Sequence, residues 1–269
     1  MWPDRLTVLL GAQSVAAISE PYGLNRGVIE QQHISIAWND EEPAWRDAVG
    51  KLESLMASMQ VKPKTRLRVI LSSDFVRYLV LPPQPIPMSS TEKSAYAAAA
   101  YKDVHGTVTE GWDIRLHDVA PNQATIAAAV DKKLIETLKQ ISFDYQLKLV
   151  SIQPYLMSAF NSLRSHLGKM NGYLVIFESW RLLVINMHQG RYQNLRTSLI
   201  NGDWKTELKH LLTRESLLGA DNGRDVLIYA PAHKITTLNN FDGWNIQVVG
   251  QAHKKAAIDS PFALLEAVA

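Results

Sequence analysis

Lys62, Lys64, Arg66 and Arg68 stand at every second position of one short stretch. In a β-strand that spacing sends all four cations to one side. The chemistry open to such a stripe is electrostatic: docking of an acidic partner or an anionic lipid surface, strong only at modest salt. A solvated strand face, or a charged edge that discourages aggregation, is the simpler account of it. Nucleophilic and metal chemistry has less to draw on. With no Cys in 269 residues, thiol nucleophiles, thiolate zinc sites and iron–sulfur clusters are excluded. The eight His residues are scattered, without a pair at metal-ligand helical spacing, and read as solvent-facing or hydrogen-bonded structural groups. No G-x-x-x-x-G-K-[ST], G-x-S-x-G, H-E-x-x-H or EF-hand pattern occurs. Glu41-Glu42 sits just before Pro43, where acids favour a helix start over paired-carboxylate catalysis. No catalytic residue, metal or cofactor is expected.

Composition narrows the partner classes. The chain is 46% hydrophobic and 20% charged, with 28 Lys+Arg against 26 Asp+Glu and a formal charge of +2. It lacks the basic excess that nucleic-acid binding needs. No apolar run approaches the roughly 20 residues of a membrane span; Tyr173–Phe177 is typical of the longest. The start, Met1 to Arg5, lacks the basic and apolar segments of a signal peptide. A soluble, cytoplasmic protein is the expectation, and the absence of Cys fits a reducing compartment.

The elements that must position these residues repeat. Arg5–Leu10, Val15–Ile18 and Gly27–Ile36 read as strands, with Gly11 at the first turn. Pro43 opens a helix whose Ala48, Val49, Leu52, Leu55 and Met56 share a face. Thr65–Leu71 returns as a strand. The same β-β-β-α-β order reappears at Tyr173–Phe177, Arg181–Met187, Arg191–Thr197, a helix from Asp203 stopped at Gly219, and a closing strand Asp225–Ala230. Between the two units, Phe75–Leu81 runs as a strand into Pro82-Pro83-Gln84-Pro85-Ile86-Pro87. Ser89 and Glu92 have capping-box spacing before a helix. Trp112–Val119 and Ala124–Val130 are strands, Asp131 caps a further helix, and Lys148–Ile152 is a strand ahead of a helix ending at Gly168. Ser260-Pro261 begins a last short helix. The chain therefore divides at 1–71, 72–152 and 153–269 into a first lobe, an inserted α/β subdomain returning to that lobe, and a second lobe.

Two stretches resemble a known family. Leu71-Ser-Ser-Asp-Phe-Val-Arg-Tyr-Leu-Val-Leu-Pro82 is similar to a segment of GspL, the type II secretion protein. The helix, two strands and Ala-Ala-Val-Asp131 leading into the next helix, with the strand ending at Gln153-Pro154-Tyr155, resemble the pilus-assembly proteins PilM and MshI. The resemblance implies an actin-like (ribonuclease-H-like) α/β fold with duplicated lobes. It also implies a place on the cytoplasmic side of a type IV pilus or type II secretion platform. The partner would be a cytoplasmic tail or domain of an inner-membrane assembly protein. Membrane contact would be indirect, through that partner, and self-association stays open.

Active members of that fold need a metal-holding carboxylate at the first hairpin, small phosphate-facing residues in both hairpins and a late Gly-Gly turn. Where the family pattern resembles D-I-G-S-S-S-V-K-A-V, this chain has Leu9-Leu10-Gly11-Ala12-Gln13-Ser14-Val15-Ala16-Ala17-Ile18. Leu9 takes the acid position and Ala16 the lysine position; Gly11 and Ser14 remain, with Gln13 between them. The second hairpin reads Ile176-Phe177-Glu178 for D-I-G, so a bulky ring and an anion would oppose a phosphate. Pro231-Ala232 replaces Gly-Gly, and Pro supplies no N–H. Phosphoryl transfer loses its positioning and electrostatic terms, and a pseudo-ATPase scaffold is expected. The competing reading is an ATP-binding protein or weak ATPase whose ligands have moved to Glu178 or Asp74.

For partner binding the residues singled out are Phe75, Arg77, Tyr78 and Leu81 with the 62–68 stripe. Strand alternation would put Phe75, Arg77, Leu79 and Leu81 on one side of a groove between lobes that accepts a peptide. The opposing reading is a buried strand with Arg77 paired to a carboxylate. Trp2 and Trp180 are the better candidates for exposed anchors.

Overall fold

The computed structural model describes residues 4–21, 30–37, 43–117, 122–218, 223–233, 241, 243–250 and 260–268. The chain opens with β1 (Arg5–Leu10), β2 (Ser14–Glu20), β3 (Glu30–Ser35), α1 (Trp45–Ser58) and β4 (Arg66–Leu71). Next come β5 (Arg77–Leu81), α2 (Ser90–His105), a 3-10 turn (Gly106–Gly111), β6 (Trp112–Leu116), β7 (Thr125–Asp131), α3 (Lys132–Asp144) and β8 (Lys148–Pro154). Then follow α4 (Tyr155–Ser162), α5 (Arg164–Leu167), β9 (Gly172–Glu178), β10 (Arg181–His188) and β11 (Arg191–Leu199). The last elements are α6 (Trp204–Leu218), β12 (Asp225–Tyr229), β13 (Asn245–Val249) and α7 (Ala263–Glu266).

Two five-stranded sheets share one plan. Their orders are β3-β2-β1-β4-β8 and β11-β10-β9-β12-β13. In each, an antiparallel meander of three strands is extended by two parallel strands on the far side of the first. Strand for strand the sheets are equivalent, which is a duplication in three dimensions. The strand ending near residue 230 does not close the second sheet: β13, which the sequence reading lacked, pairs outside it. A smaller sheet, β5-β7-β6, is inserted between β4 and α3.

Local chemistry explains the boundaries. Ser89 and Glu92 form the reciprocal capping box at the start of α2, and the Asp131 side chain accepts from Lys133 N–H at the start of α3. β9 and β10 are joined by the two-residue turn Ser179-Trp180, where Ser179 takes a positive φ of 39°. At Gly172 φ is 130° and an added Cβ would lie 2.1 Å from the Asp225 carbonyl oxygen, so only Gly lets β9 start beside β12. The helix expected to run to Gly168 breaks at Leu163 into α4 and α5. Strand expectations at 27–29 and at Val119, the Gly219 stop, the Glu41-Glu42 pair and Trp2 lie outside the described residues.

Three layers of apolar packing hold this together. α1 and α3 cover one face of the first sheet through Leu6, Val8, Leu10, Leu67 and Val69. α6 covers the outer face of the second sheet through Tyr173, Val175 and Phe177. The two inner faces meet in a single core that also takes Tyr155, Leu156 and Ala159 of α4, Leu264 and Leu265 of α7, and Ala124 and Ile126 at the start of β7. The lobes are joined by an apolar seam.

Candidate functional site: a closed seam between the lobes

The β1–β2 turn, the loop after β4 and the β9–β10 turn converge on one point of the seam. Gly11, Gln13 and Ser14 come from the first, Ser72 and Asp74 from the second, and Glu178, Ser179 and Trp180 from the third. The cavity they leave is about 20 Å³, on the order of one water. Gly11 is packed on its open side, since an added Cβ would sit 3.3 Å from the Ser14 oxygen and 3.5 Å from Ser72 Cβ.

The seam is fastened by polar groups that cross it. Glu178 ends a strand in which every residue is buried. Its carboxylate accepts from the backbone N–H of Ser73 at 2.8 Å and from Ser73 Oγ at 2.5 Å, both on the opposite lobe. Asp74 answers from the other side. One oxygen accepts from Arg181 Nε at 3.3 Å, and the other from Ala12 N–H at 3.1 Å and Ser72 Oγ at 2.8 Å. Burial pushes the Glu178 carboxyl up to about 7, the Asp74 charge adds to the rise, and the Ser73 hydrogen bonds oppose it. The Tyr78 hydroxyl stands 3.4 Å from Ser73 Oγ and is driven well above its ordinary pKa, first by burial and then by Glu178. Buried polar groups of this kind are tolerated because each has a partner.

Five of the eight nucleotide-cleft positions meet here: Leu9, Gly11, Gln13, Ser14 and Glu178. The other three do not. Ala16 is buried in the shared core. Phe177 points to the helix side, packed against Trp204 at 5.2 Å, because strand alternation turns it away from the face carrying Glu178. Phe177 therefore does not oppose a phosphate. Pro231 is buried in the turn after β12 and does not line the cavity. Ser73 and Arg181 escaped sequence reasoning. The signal that would find them is Glu178 itself, a carboxylate ending an apolar strand that must meet donors from elsewhere.

The partner-binding residues fare differently. Leu81 is buried beneath α2, Phe75 packs towards the first-lobe core, and Tyr78 enters the seam. Phe75 and Tyr78 therefore line no open groove between the lobes, and Leu81 belongs instead to the inserted subdomain. Phe75 precedes β5, so alternation with Leu81 fails at its first member. Arg77 is exposed and donates to the Asp74 carbonyl at 3.1 Å, not to a carboxylate. The cationic stripe is broken as well. Lys62 pairs with Asp4 at 3.4 Å, and Lys64 turns the chain with φ 66°, so only Arg66 and Arg68 belong to a strand. That strand is interior, not an edge, and Arg68 Nε donates to the side-chain oxygen of Gln153 at 2.7 Å. Trp180 is half-buried beside Arg181.

No family model and no curated protein matches the chain. Solved structures do. A chain of a PilM–PilN type IV pilus biogenesis complex superposes with a TM-score of 0.62 at 10% identity, over 91% of this chain and 88% of that one. A Bacteroides thetaiotaomicron protein of unknown function, described as having an actin-like ATPase fold, gives 0.56 at 10% identity, over 92% and 91%. The chain has the actin-like fold. The cytoplasmic domain of EpsL, an inner-membrane component of the Vibrio cholerae type II secretion system, shares it with a TM-score of 0.54 at 12% identity, over 92% and 90%. In this actin-like chain the duplicated sheets are the two lobes, and the closed seam lies between them. No helix among the described residues is long and apolar enough to cross a membrane, and no cluster of three metal-ligating side chains occurs among them.

Proposed function

We propose that the protein is a non-catalytic actin-like scaffold of a type IV pilus or type II secretion platform at the inner membrane. It would bind the cytoplasmic tail or domain of a membrane-anchored assembly protein, and so sit at the membrane through that partner. One observation carries the non-catalytic part: the interlobe cavity measures about 20 Å³, whereas small-molecule sites need roughly 300 Å³ or more. The carboxylates that a displaced metal site would use are already engaged, Glu178 by Ser73 and Asp74 by Ala12, Ser72 and Arg181. The platform part is supported by the likeness of fold to a PilM–PilN complex and to the EpsL cytoplasmic domain.

The ATP-binding alternative draws on Asp74 and Glu178 facing one cavity. Melting curves with and without magnesium-ATP separate the two readings, since a ligand bound only by the folded state raises Tm. We expect no shift; a rise of several degrees would establish nucleotide binding and remove the scaffold reading's main support. Immobilised protein should also retain cytosolic tails of pilus or secretion membrane proteins, and failure with every such tail would count against the platform role.

A further inference from the structure

The inserted subdomain carries a groove far larger than the interlobe cavity. α2 covers the β5-β7-β6 sheet through Ala97 and Tyr101, but leaves the end of the sheet where β5 and β6 finish and β7 begins. The space there is about 490 Å³. Its apolar lining includes Leu81, Ile114, Leu116 and Tyr96. The run from Pro82 to Pro87 forms one wall, with Ile86 73% exposed. Such a proline-rich wall is stiff before anything binds, so little ordering is needed on association.

Charge gives the groove a sign. Lys93 and Arg115 line it, together with Ser90 and Ser94 from the first turns of α2, and no carboxylate is among its described lining residues. Asp113 holds Arg115 Nε at 3.2 Å, yet the Arg115 side chain is 81% exposed and keeps its other N–H groups for a ligand. An apolar floor under cationic rims fits a segment that alternates apolar and acidic side chains. An extended backbone presents those to opposite sides with a period of two.

We infer that this groove, and not the closed seam, receives the partner: an extended acidic-and-apolar peptide whose leucine-like residues fill the floor and whose carboxylates meet Arg115. This rests on the scaffold reading and names its docking site and partner chemistry. The test uses the full chain and three fluorescein-labelled peptides of about eight residues that alternate Leu with Glu, Gln or Lys. Fluorescence anisotropy should rank Glu tightest, about three- to tenfold over Gln, with Lys weakest and the Glu advantage lost at about 0.5 M salt. Arg115→Glu and Ile86→Asp, both at exposed positions, should weaken the Glu peptide at least fivefold with Tm unchanged. Arg77→Glu, away from the groove, should not. Equal affinity for the three peptides, or indifference to the groove substitutions, would overturn the assignment. So would loss on Arg115→Glu of binding to phosphatidylserine vesicles without any peptide binding. If assembly-protein tails are still captured by both groove variants, the scaffold reading stands and only this site fails.

Discussion

Glu178 follows Tyr173, Leu174, Val175, Ile176 and Phe177 along β9, so its carboxylate enters the seam among side chains that cannot solvate it. Ser73 offers two donors, but burial outweighs them and leaves the carboxyl at about 7 against an ordinary 4.5. An acid whose folded pKa is raised binds its proton more tightly folded than unfolded. Its penalty is therefore absent below pH about 4.5 and grows as pH rises to about 7. Stability should fall by a few kcal/mol between pH 5 and pH 8 on this account, with each pKa unit worth about 1.4 kcal/mol. Glu178→Gln keeps the shape and can both accept from Ser73 N–H and donate to Ser73 Oγ. Denaturant midpoints of this variant should lose most of the pH slope and exceed wild type at pH 8. An unchanged slope would mean that Glu178 is already solvated.

At the scale of the element, two predictions separate propensity from packing. Ser89→Ala removes one half of the capping box of α2 at an exposed site, and should cost about 1 kcal/mol. Amide exchange in the first turn of α2 should quicken while the five-stranded sheets stay protected. Gly172→Ala is a harsher change, because the new methyl group meets the Asp225 carbonyl at 2.1 Å and φ is 130°. The start of β9 or β12 must move, at a cost of at least about 2–3 kcal/mol. Thermal melting should show this as a loss of several degrees, well beyond the Ser89 variant. Similar losses from both would mean that β9 and β12 can separate at that end without consequence.

On the scale of the molecule, the shared core makes the three sheets interdependent. α7 returns from the chain end to place Leu264 and Leu265 into it beside Leu9 and Ile18 of the first sheet and Tyr229 of the second. Unfolding should therefore be one transition, with far-ultraviolet circular dichroism and tryptophan fluorescence coincident. Leu265→Ala, at a fully buried position, should cost about 2–5 kcal/mol and lower that single transition without splitting it. Two separated transitions, in wild type or variant, would show that the lobes melt independently and that the seam is weaker than its apolar content implies.

The sequence by itself determined what depends on neighbours along the chain. Alternation, helical spacing and caps such as Ser89 and Asp131 located most elements and the repeated β-β-β-α-β order. Leu9 and Ala16, set against the family pattern that the chain resembles, gave only the expectation of a degraded cleft. Whatever depends on residues distant in sequence was decided only in three dimensions. β13 is a strand of five residues that gains its place by pairing with β12. The 62–68 stripe fails because a turn at Lys64 interrupts it, and the expected interlobe groove fails because Tyr78 packs into the shared core with residues of the second lobe. The bond between Glu178 and Ser73 joins positions 105 residues apart. No local pattern encodes it, since a buried carboxylate's partner is chosen by which backbone amide the packed lobes bring within reach.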